Sequence, residues 1–253
     1  MARVVLVKSV RGSNLRSYGV WSVVRYIPPS GFGRCYASPS SARTLFRLFF
    51  RHVVKNDGGT GVLKFAFFMM PLHLPTESPS LAFDRDLDLL LYAEQLGYDE
   101  LFVGEHHTAA WENIPAPDMF LAKASGLTSV IKLGTSVVSA PFHHPFELAE
   151  RFAFLDHLSK GRVILGLGPC GLPSDVKLFN IPPTKLRPML EESVDIMVKL
   201  LESPDPIDYE GKFWNLRGMA LQLRSYQQPR LKMAMATSGS TGSLDLAGKY
   251  GMM

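Results

Sequence analysis

Short runs of apolar or β-branched residues recur along the chain, the first four at intervals of roughly 30 residues and the fifth after a longer gap. Each run is five to eight residues long and is bounded by glycine, proline or polar residues. Runs of this kind are typical of strands that are covered on both faces. The pattern predicts five strands, at 63–70, 98–103, 132–139, 163–167 and 231–236.

Between these runs, apolar residues recur at the spacing that places them on one face of an α-helix. The segment before the second run shows it clearly, with Leu87, Leu90 and Leu91 on one stripe. The same spacing predicts five helices, at 84–96, 119–128, 146–158, 188–201 and 243–250, and a short hairpin is predicted at 209–216 and 221–223. Such alternation of strands and helices indicates parallel strands joined by crossover helices.

These strand–helix units predict an α/β fold. The preferred architecture is an incomplete TIM (β/α)8 barrel of about five βα units, and a doubly wound sheet is the alternative. A complete barrel needs about 250 residues of its own, which is more than residues 63–253 provide. We therefore expect the last three strand–helix units of a barrel to be missing from this chain.

The first 62 residues differ in composition from the rest. They contain ten Lys and Arg residues and a single acid, Asp57, whereas residues 63–253 contain 17 basic and 22 acidic side chains. We expect residues 1–62 to be a disordered or poorly structured extension, with an organelle transit peptide as the alternative. Residues 63–253 have no basic stripe with interleaved aromatics, so no binding of nucleic acid is predicted.

Cysteine content and hydropathy bear on where the protein is found. The two cysteines, Cys35 and Cys170, do not make a disulfide framework, which favours an intracellular, reducing location such as the cytoplasm. No uninterrupted apolar run approaches the 18 or so residues that a membrane-spanning helix needs. The sequence therefore predicts a cytoplasmic protein that does not cross a membrane.

A carboxylate and two imidazoles follow the second predicted strand, at Glu105, His106 and His107. Ligands of parallel α/β proteins bind beyond the carboxyl ends of the strands, so this position suits a site. Neighbouring histidines on extended backbone point in opposite directions, which disfavours a shared metal ion. A role in acid–base chemistry or cofactor contact is easier, because histidine titrates near neutral pH. A hydrogen-bonded, purely structural pair is the alternative.

Three further segments follow predicted strands. A second histidine pair, His143 and His144, is either site-facing or packed beneath a proline turn. The segment 166–171 only superficially resembles a dinucleotide fingerprint, since it contains a proline and no helix is predicted directly after it. It is interpreted as a turn that lets a flat ligand approach the backbone. The segment 237–243 (TSGSTGS) precedes a helix and predicts a phosphate-binding loop, with a flexible linker as the alternative.

Several longer motifs resemble one family. The motifs are GYDELFVGEHH (97–107), KLGTSVVSAPFHHPFELAERFAFLDHLSKGRVILGLGPCGLPSD (132–175), EESVDIMVKLL (191–201) with YEGKFWNL (209–216), and TSGST (237–241). In these motifs the chain from about Leu63 onward resembles the bacterial-luciferase-like flavin monooxygenases, in particular the limonene and diketocamphane monooxygenase type.

The resemblance implies roles for individual residues. His106 and His107 match the active-site histidine pair of the family, and Ser136–Val137 matches the site of a non-proline cis peptide against the flavin ring. Pro169 stands where luciferase has a phosphate-contacting arginine, which favours the other branch of the family. Implied cofactor-binding residues are Ser136, Val137, Ser139, Gly168, Ser238, Gly239, Ser240 and Thr241.

The resemblance also implies an activity. It predicts a monooxygenase that takes reduced FMN from a separate flavin reductase and uses O2 to oxygenate a small aldehyde, ketone or terpene-like hydrocarbon, without a metal. A homodimer is the implied active form. Two alternatives stay open, a deazaflavin-dependent oxidoreductase on the same barrel and a non-catalytic flavin-binding remnant. A dry cavity is needed to protect the oxygenated flavin. Its candidate lining residues are Phe67, Phe68, Trp111 and Phe142, with ordinary packing in the barrel as the alternative for each.

Overall fold

The computed structural model of the chain describes residues 3–7, 22–24, 64–70, 73–237 and 241–253. Its central feature is an eight-stranded sheet, and a two-stranded hairpin lies apart from it. The sheet contains β1 (Arg3–Val7), β2 (Ser22–Val24), β3 (Lys64–Met69), β4 (Glu100–Val103), β5 (Lys132–Thr135), β6 (Val138–Ser139), β7 (Val163–Gly168) and β10 (Lys232–Met235). The hairpin contains β8 (Ile207–Glu210) and β9 (Asn215–Met219).

Six α-helices connect or follow these strands in the described residues. They are α1 (Pro79–Leu96), α2 (Pro117–Leu127), α3 (Pro145–Leu158), α4 (Pro173–Leu178), α5 (Pro183–Glu202) and α6 (Thr241–Lys249), with a 3-10 turn at Ala140–Phe142. The first five begin with proline, whose fixed φ and missing N–H suit the first helical position.

Three helix predictions were wrong in detail. The helix predicted at 84–96 begins at Pro79. The helix predicted from Pro188 begins five residues earlier, because Pro183 provides the first turn and Pro188 is accommodated inside α5. The prediction that no helix follows the glycine-rich turn at 166–171 is also wrong, since the six-residue α4 begins at Pro173. A helix of fewer than two turns is too short to show a recognisable apolar stripe.

The five parallel strands lie side by side in sequence order, β3, β4, β5, β7 and β10. Each crossover helix therefore moves the chain one strand further in the same direction. A (β/α)8 barrel has this order, whereas the strand order of a doubly wound sheet reverses at a switch point. The prediction of an incomplete barrel with about five βα units is confirmed.

Two short segments of the first 62 residues also form strands. The β1 strand pairs antiparallel with β3, and β2 pairs antiparallel with β1. The remaining positions of 1–62 lie outside the described residues. The boundary at residue 62 stays a prediction.

Alternate residues of the strands face two different cores, as the period of a strand requires. Leu101, Leu133 and Val163 are aligned across neighbouring strands and are fully buried against the helices. On the other face, Ile164 belongs to a small cluster with Ala66 and Phe102, inside the curve of the sheet. Burial of each large aliphatic side chain contributes roughly 1.5–3 kcal/mol, so the helix-facing core holds the strands in register.

None of the helices in the described part of the chain combines the length and the apolar character that crossing a bilayer requires.

Candidate active site at the carboxyl end of the sheet

Titratable side chains gather where β4, β6 and β7 end. Glu105, His106 and His107 lie in the loop after β4. His143 follows β6, and Asp175 lies in α4, just after β7. Because the carboxyl ends of parallel strands share one edge of the sheet, residues up to 70 positions apart in sequence meet here.

His106 lies between two carboxylates. Its Nδ1 is 3.1 Å from Asp175 Oδ2, and its Nε2 is 3.1 Å from Glu112 Oε2. The His106 side chain is 27% exposed, whereas that of Asp175 is 1% exposed. The ring is therefore held from the protein side by a buried acid and from the solvent side by an accessible one.

Asp175 also fixes the loop that follows His106. Its Oδ1 accepts hydrogen bonds from the backbone N–H of His107 (3.2 Å) and from both the N–H (2.7 Å) and the hydroxyl (2.5 Å) of Thr108. Burial raises the pKa of Asp175, but the hydrogen bonds from Thr108, His106 and the backbone outweigh burial and lower it. Asp175 is therefore an ionised anchor for the His106 ring.

A pocket of about 270 Å³, part of which is open to solvent, lies against His106. Its wall contains both apolar and polar side chains. It is lined by Phe68, Met70, Gly104, His106, Glu112, Ile114 and Ser136.

Glu105 occupies the centre of a second, deeper cluster. Its side chain is fully buried, with His107 Nε2 2.9 Å from Oε1 and His143 Nε2 3.0 and 3.1 Å from the two oxygens. Oε2 also accepts a hydrogen bond from the N–H of Ser139 at 3.2 Å. Burial raises the pKa of Glu105, but the hydrogen bonds from His143, His107 and Ser139 together lower it below the ordinary value.

The two histidine pairs divide into different roles. His106 contacts the pocket, whereas the His107 ring packs edge-on against Phe142 and Phe179. His143 joins the Glu105 cluster. His144 instead caps α3, where its Nδ1 accepts from the N–H of Phe146 at 3.3 Å.

The predicted flavin-facing segment lies beside the pocket. The peptide bond between Ser136 and Val137 is cis, as the family resemblance implies. Ser136 lines the pocket, and Ser139 is buried against Glu105. A Cβ at Gly168 would lie 2.8 Å from Val137 Cγ2, so the close approach of these two residues requires glycine. The structure brings Ser136, Val137, Ser139 and Gly168 together, and their contact with a cofactor stays a prediction.

The predicted phosphate loop is only partly described. Ser238, Gly239 and Ser240 lie outside the described residues. Thr241 begins α6, at the carboxyl end of β10. A Cβ added at Gly242 would collide with the guanidinium of Arg187, which places this cation at the start of α6.

The four aromatic residues predicted to line a cavity lie in different parts of the structure. Phe68 lines the pocket. Phe67 is buried against Tyr98 in the helix-facing core, and Trp111 is 49% exposed. Phe142 stacks on Phe179, with ring centroids 4.1 Å apart. Of the four, the structure places Phe68 in the pocket wall.

Sequence reasoning missed three residues of this site. Asp175 had a weak signal, since it is an acid a few residues beyond a predicted strand. Glu112 and Arg187 had none, because one lies in a loop without periodicity and the other is one of several charges on a helix. Among the described residues, no group of three His, Cys, Asp or Glu side chains has an arrangement that could hold a metal ion.

Comparison with known proteins identifies the family. The family model described as luciferase-like monooxygenase matches residues 63–253. The chain belongs to the luciferase-like monooxygenase family. This confirms the resemblance on which the residue assignments rest.

Two curated relatives in the luciferase-like family illustrate its range. The chain is 41% identical over 189 residues to 4-hydroxyprotoasukamycin monooxygenase of Streptomyces nodosus subsp. asukaensis, a match that covers 75% of this chain and 51% of that protein. It is 38% identical over 191 residues to limonene 1,2-monooxygenase of Rhodococcus erythropolis, covering 76% and 49%. The chain thus spans about half the length of the curated relatives it matches.

A solved structure shows the same architecture. The oxygenating constituent of 3,6-diketocamphane monooxygenase from Pseudomonas putida, a type II Baeyer–Villiger monooxygenase in complex with FMN, superposes with a TM-score of 0.66 at 27% identity. The match covers 73% of this chain and 54% of that one. The fold described here is thus shared with about half of that structure.

Proposed function

We propose that the protein is a flavin-dependent monooxygenase that uses reduced FMN and O2 to oxygenate a small aldehyde, ketone or terpene-like hydrocarbon. The observation on which this depends is His106, which contacts the pocket and is oriented by the buried carboxylate of Asp175. The relatives named limonene and 4-hydroxyprotoasukamycin monooxygenase, and the FMN complex of the diketocamphane enzyme, support the choice.

The residues of the pocket fit a flat, partly apolar ring. Phe68, Met70 and Ile114 offer an apolar surface, and Gly104 presents no side chain to the space. The space that these residues line, about 270 Å³, includes open solvent, so the site is a cleft that a ring could enter from outside. We propose that it receives the ring system, while the phosphate lies further out at the start of α6. Bound reduced FMN would supply the electrons that activate O2.

We propose that His106 holds a proton at Nε2 for delivery into the pocket. The ionised Asp175 accepts from Nδ1, so the second nitrogen is the one that faces Glu112 and the pocket. A ring that donates from both nitrogens is an imidazolium, and it would lie between the carboxylates of Asp175 and Glu112. General acid or base catalysis by a positioned histidine contributes about 10²–10⁴-fold to a rate.

For His107 we propose a supporting role. Its ring contacts Glu105, Phe142 and Phe179, and it is not among the residues that line the pocket. For the phosphate we propose the start of α6, where Thr241 and the guanidinium of Arg187 lie close together. Backbone N–H groups at a helix start and a cation are both suited to an anion.

The proposal extends to partners. A separate flavin reductase would deliver reduced FMN, and a homodimer and a cytoplasmic location follow from the family resemblance alone. A deazaflavin cofactor on the same barrel and a non-catalytic flavin-binding remnant are the competing interpretations. Cofactor-exchange measurements separate all three.

The test is reconstitution of the purified chain with reduced FMN or with a reduced deazaflavin, followed by admission of O2. We expect tight binding of reduced FMN and O2 consumption that depends on an added ketone or terpene. Hydride transfer with the deazaflavin and no O2 uptake would support that alternative. Binding of FMN without turnover would support the remnant.

Within this experiment, Asp175→Asn tests the role of the His106 ring. We expect O2-dependent turnover to fall about 100-fold, because the amide removes the charge that orients and balances the imidazole. The matched control is Asp156→Asn, a buried carboxylate that accepts from the backbone and side chain of Gln227, away from the pocket. Equal losses in both variants would show that stability, and not the ring, is responsible.

A further inference from the structure

We infer that Glu105 is a positioning residue. It sets which ring nitrogen of His107 and of His143 bears hydrogen. Through these two rings it holds the loops after β4 and β6 together as one wall of the site. This inference rests on the proposed function for its catalytic meaning. The hydrogen placement itself can be tested without any cofactor.

The geometry around Glu105 is unusually demanding for one side chain. Its two oxygens meet three separate donors, the N–H of Ser139 and the Nε2 atoms of His107 and His143, all within 3.2 Å. The carboxyl group is shielded from water, so solvent offers no substitute partner. A buried donor left without an acceptor is costly, so all three depend on this residue.

Hydrogen placement follows from the chemistry of the acceptor. An ionised carboxylate only accepts, and a neutral imidazole has one donating and one accepting nitrogen. Both rings direct Nε2 at Glu105, so each must have its hydrogen there. In its neutral form, each ring is therefore the Nε2–H tautomer, with the lone pair at Nδ1.

Glu105 also connects three parts of the proposed site. It directly precedes His106, the ring that contacts the pocket. Through Ser139 it holds β6, which begins one residue after the Ser136–Val137 peptide. Through His143 it holds the turn that leads into α3. Loss of its charge would therefore loosen both loops at once while leaving the core of the barrel untouched.

Glu94 provides a matched control at the opposite end of the sheet. Its Oε1 accepts three backbone N–H groups, from Ser129, Val130 and Ile131, at 2.9, 2.7 and 3.0 Å. It is thus also a carboxylate with three donors, but no histidine and no pocket residue is among them. Glu94→Gln and Glu105→Gln remove one charge each from comparable hydrogen-bond networks.

The experiment is ¹⁵N NMR of the imidazole nitrogens in the cofactor-free chain, with His107→Asn and His143→Asn used to assign the signals. We expect both rings of the wild type to show a hydrogen-bearing Nε2 and a bare Nδ1. In Glu105→Gln, the amide offers one acceptor oxygen and one NH2 donor, so at least one ring should change to Nδ1–H. In Glu94→Gln, both rings should keep the wild-type pattern.

FMN binding links the inference to the site. We expect Glu105→Gln to weaken FMN binding about tenfold, as loss of a supporting partner does in other sites, and Glu94→Gln to change it less than about twofold. An Nδ1–H ring in the wild type, or identical behaviour of the two variants, would overturn the inference. If wild-type chain fails to bind FMN, the proposed function fails, and the ring signals still decide the role of Glu105.

Discussion

The two ends of the parallel sheet use similar residues in different ways. At the amino end, Arg162 donates to Ser159 O (2.8 Å), Thr128 Oγ1 (2.7 Å), Ile131 O (3.2 Å) and Ser125 O (2.8 Å). Three of these four acceptors are backbone carbonyls. Glu94 likewise accepts from backbone N–H groups. Charged side chains at this end therefore stabilise the chain itself.

At the carboxyl end, titratable side chains also pair with one another. His106 contacts Asp175 and Glu112, and Glu105 contacts His107 and His143. Pairs of groups that exchange protons, next to a pocket, can do chemistry that charged groups bound to backbone cannot. In barrel folds, function is found at the carboxyl end and stability at the amino end, and the hydrogen-bond partners at the two ends of this sheet differ in the same sense.

The largest expected effect is on stability at the amino end. We expect Arg162→Ala to lower the free energy of unfolding by about 3 kcal/mol, because four hydrogen bonds from a charged donor are lost. Urea unfolding followed by circular dichroism measures it. FMN affinity of the folded fraction should stay within about twofold of the wild type.

The control is Arg151→Ala, which breaks an ion pair with Asp118 (3.0 Å) whose arginine is 42% exposed. Exposed pairs contribute less than about 1 kcal/mol, so this variant should be nearly neutral. If Arg162→Ala abolished flavin binding in fully folded protein, the division between the two ends would be wrong.

Unfolding at acid pH tests whether the carboxylates at the two ends of the sheet must be charged to stabilise the fold. Burial raises the pKa of Glu94, but the backbone hydrogen bonds from residues 129–131 lower it by more, so the net shift is downward. The pKa values of Glu105 and Asp175 are also lowered, because their hydrogen bonds outweigh burial. Because their folded-state pKa values lie below the unfolded ones, these groups stabilise the fold above about pH 4.5. The stability should be lost as pH falls from there through the folded-state values.

The measurement is the free energy of unfolding between pH 7 and pH 3. We expect Glu105→Gln and Glu94→Gln each to flatten the loss below pH 4.5, because each variant removes one group that binds a proton on unfolding. Wild-type stability that rises on acidification would contradict the assigned directions. Flattening in only one variant would show which end of the sheet depends on its carboxylate.

The elements were more predictable from the sequence than the site. β4 and β7 were visible because their apolar runs reflect burial on both faces. The run at 132–139 was predicted as one strand, but the backbone divides it into β5 and β6 around Ser136–Val137. The local pattern of apolar residues predicts that a strand is buried, but it does not predict where a buried strand is interrupted.

The site itself depends on contacts between distant residues. His106 could be found because it directly follows a strand, whereas its partner Asp175 lies 69 positions later. His143 and Glu105 are separated by 38 positions, and only the pairing of β6 with β7 and of β4 with β5 brings their loops together. No periodicity in the sequence encodes such a meeting.

The smallest expected effect concerns the outer part of the carboxyl end. Arg187 lies against the start of α6 and forms an i,i+4 ion pair with Glu191 (3.0 Å), and it is partly exposed. If it contacts the phosphate of FMN, Arg187→Gln should weaken FMN binding about fivefold, the equivalent of about 1 kcal/mol for a solvent-accessible charge pair.

Riboflavin has the same ring without the phosphate, so its affinity should not change. Fluorescence titration with both ligands, and Lys185→Gln as a control on the same helix, separates a phosphate contact from a general effect of charge. If the binding of FMN and of riboflavin weakened equally, Arg187 would belong to the residues that stabilise the fold. The proposed flavin site would then be limited to the pocket around His106.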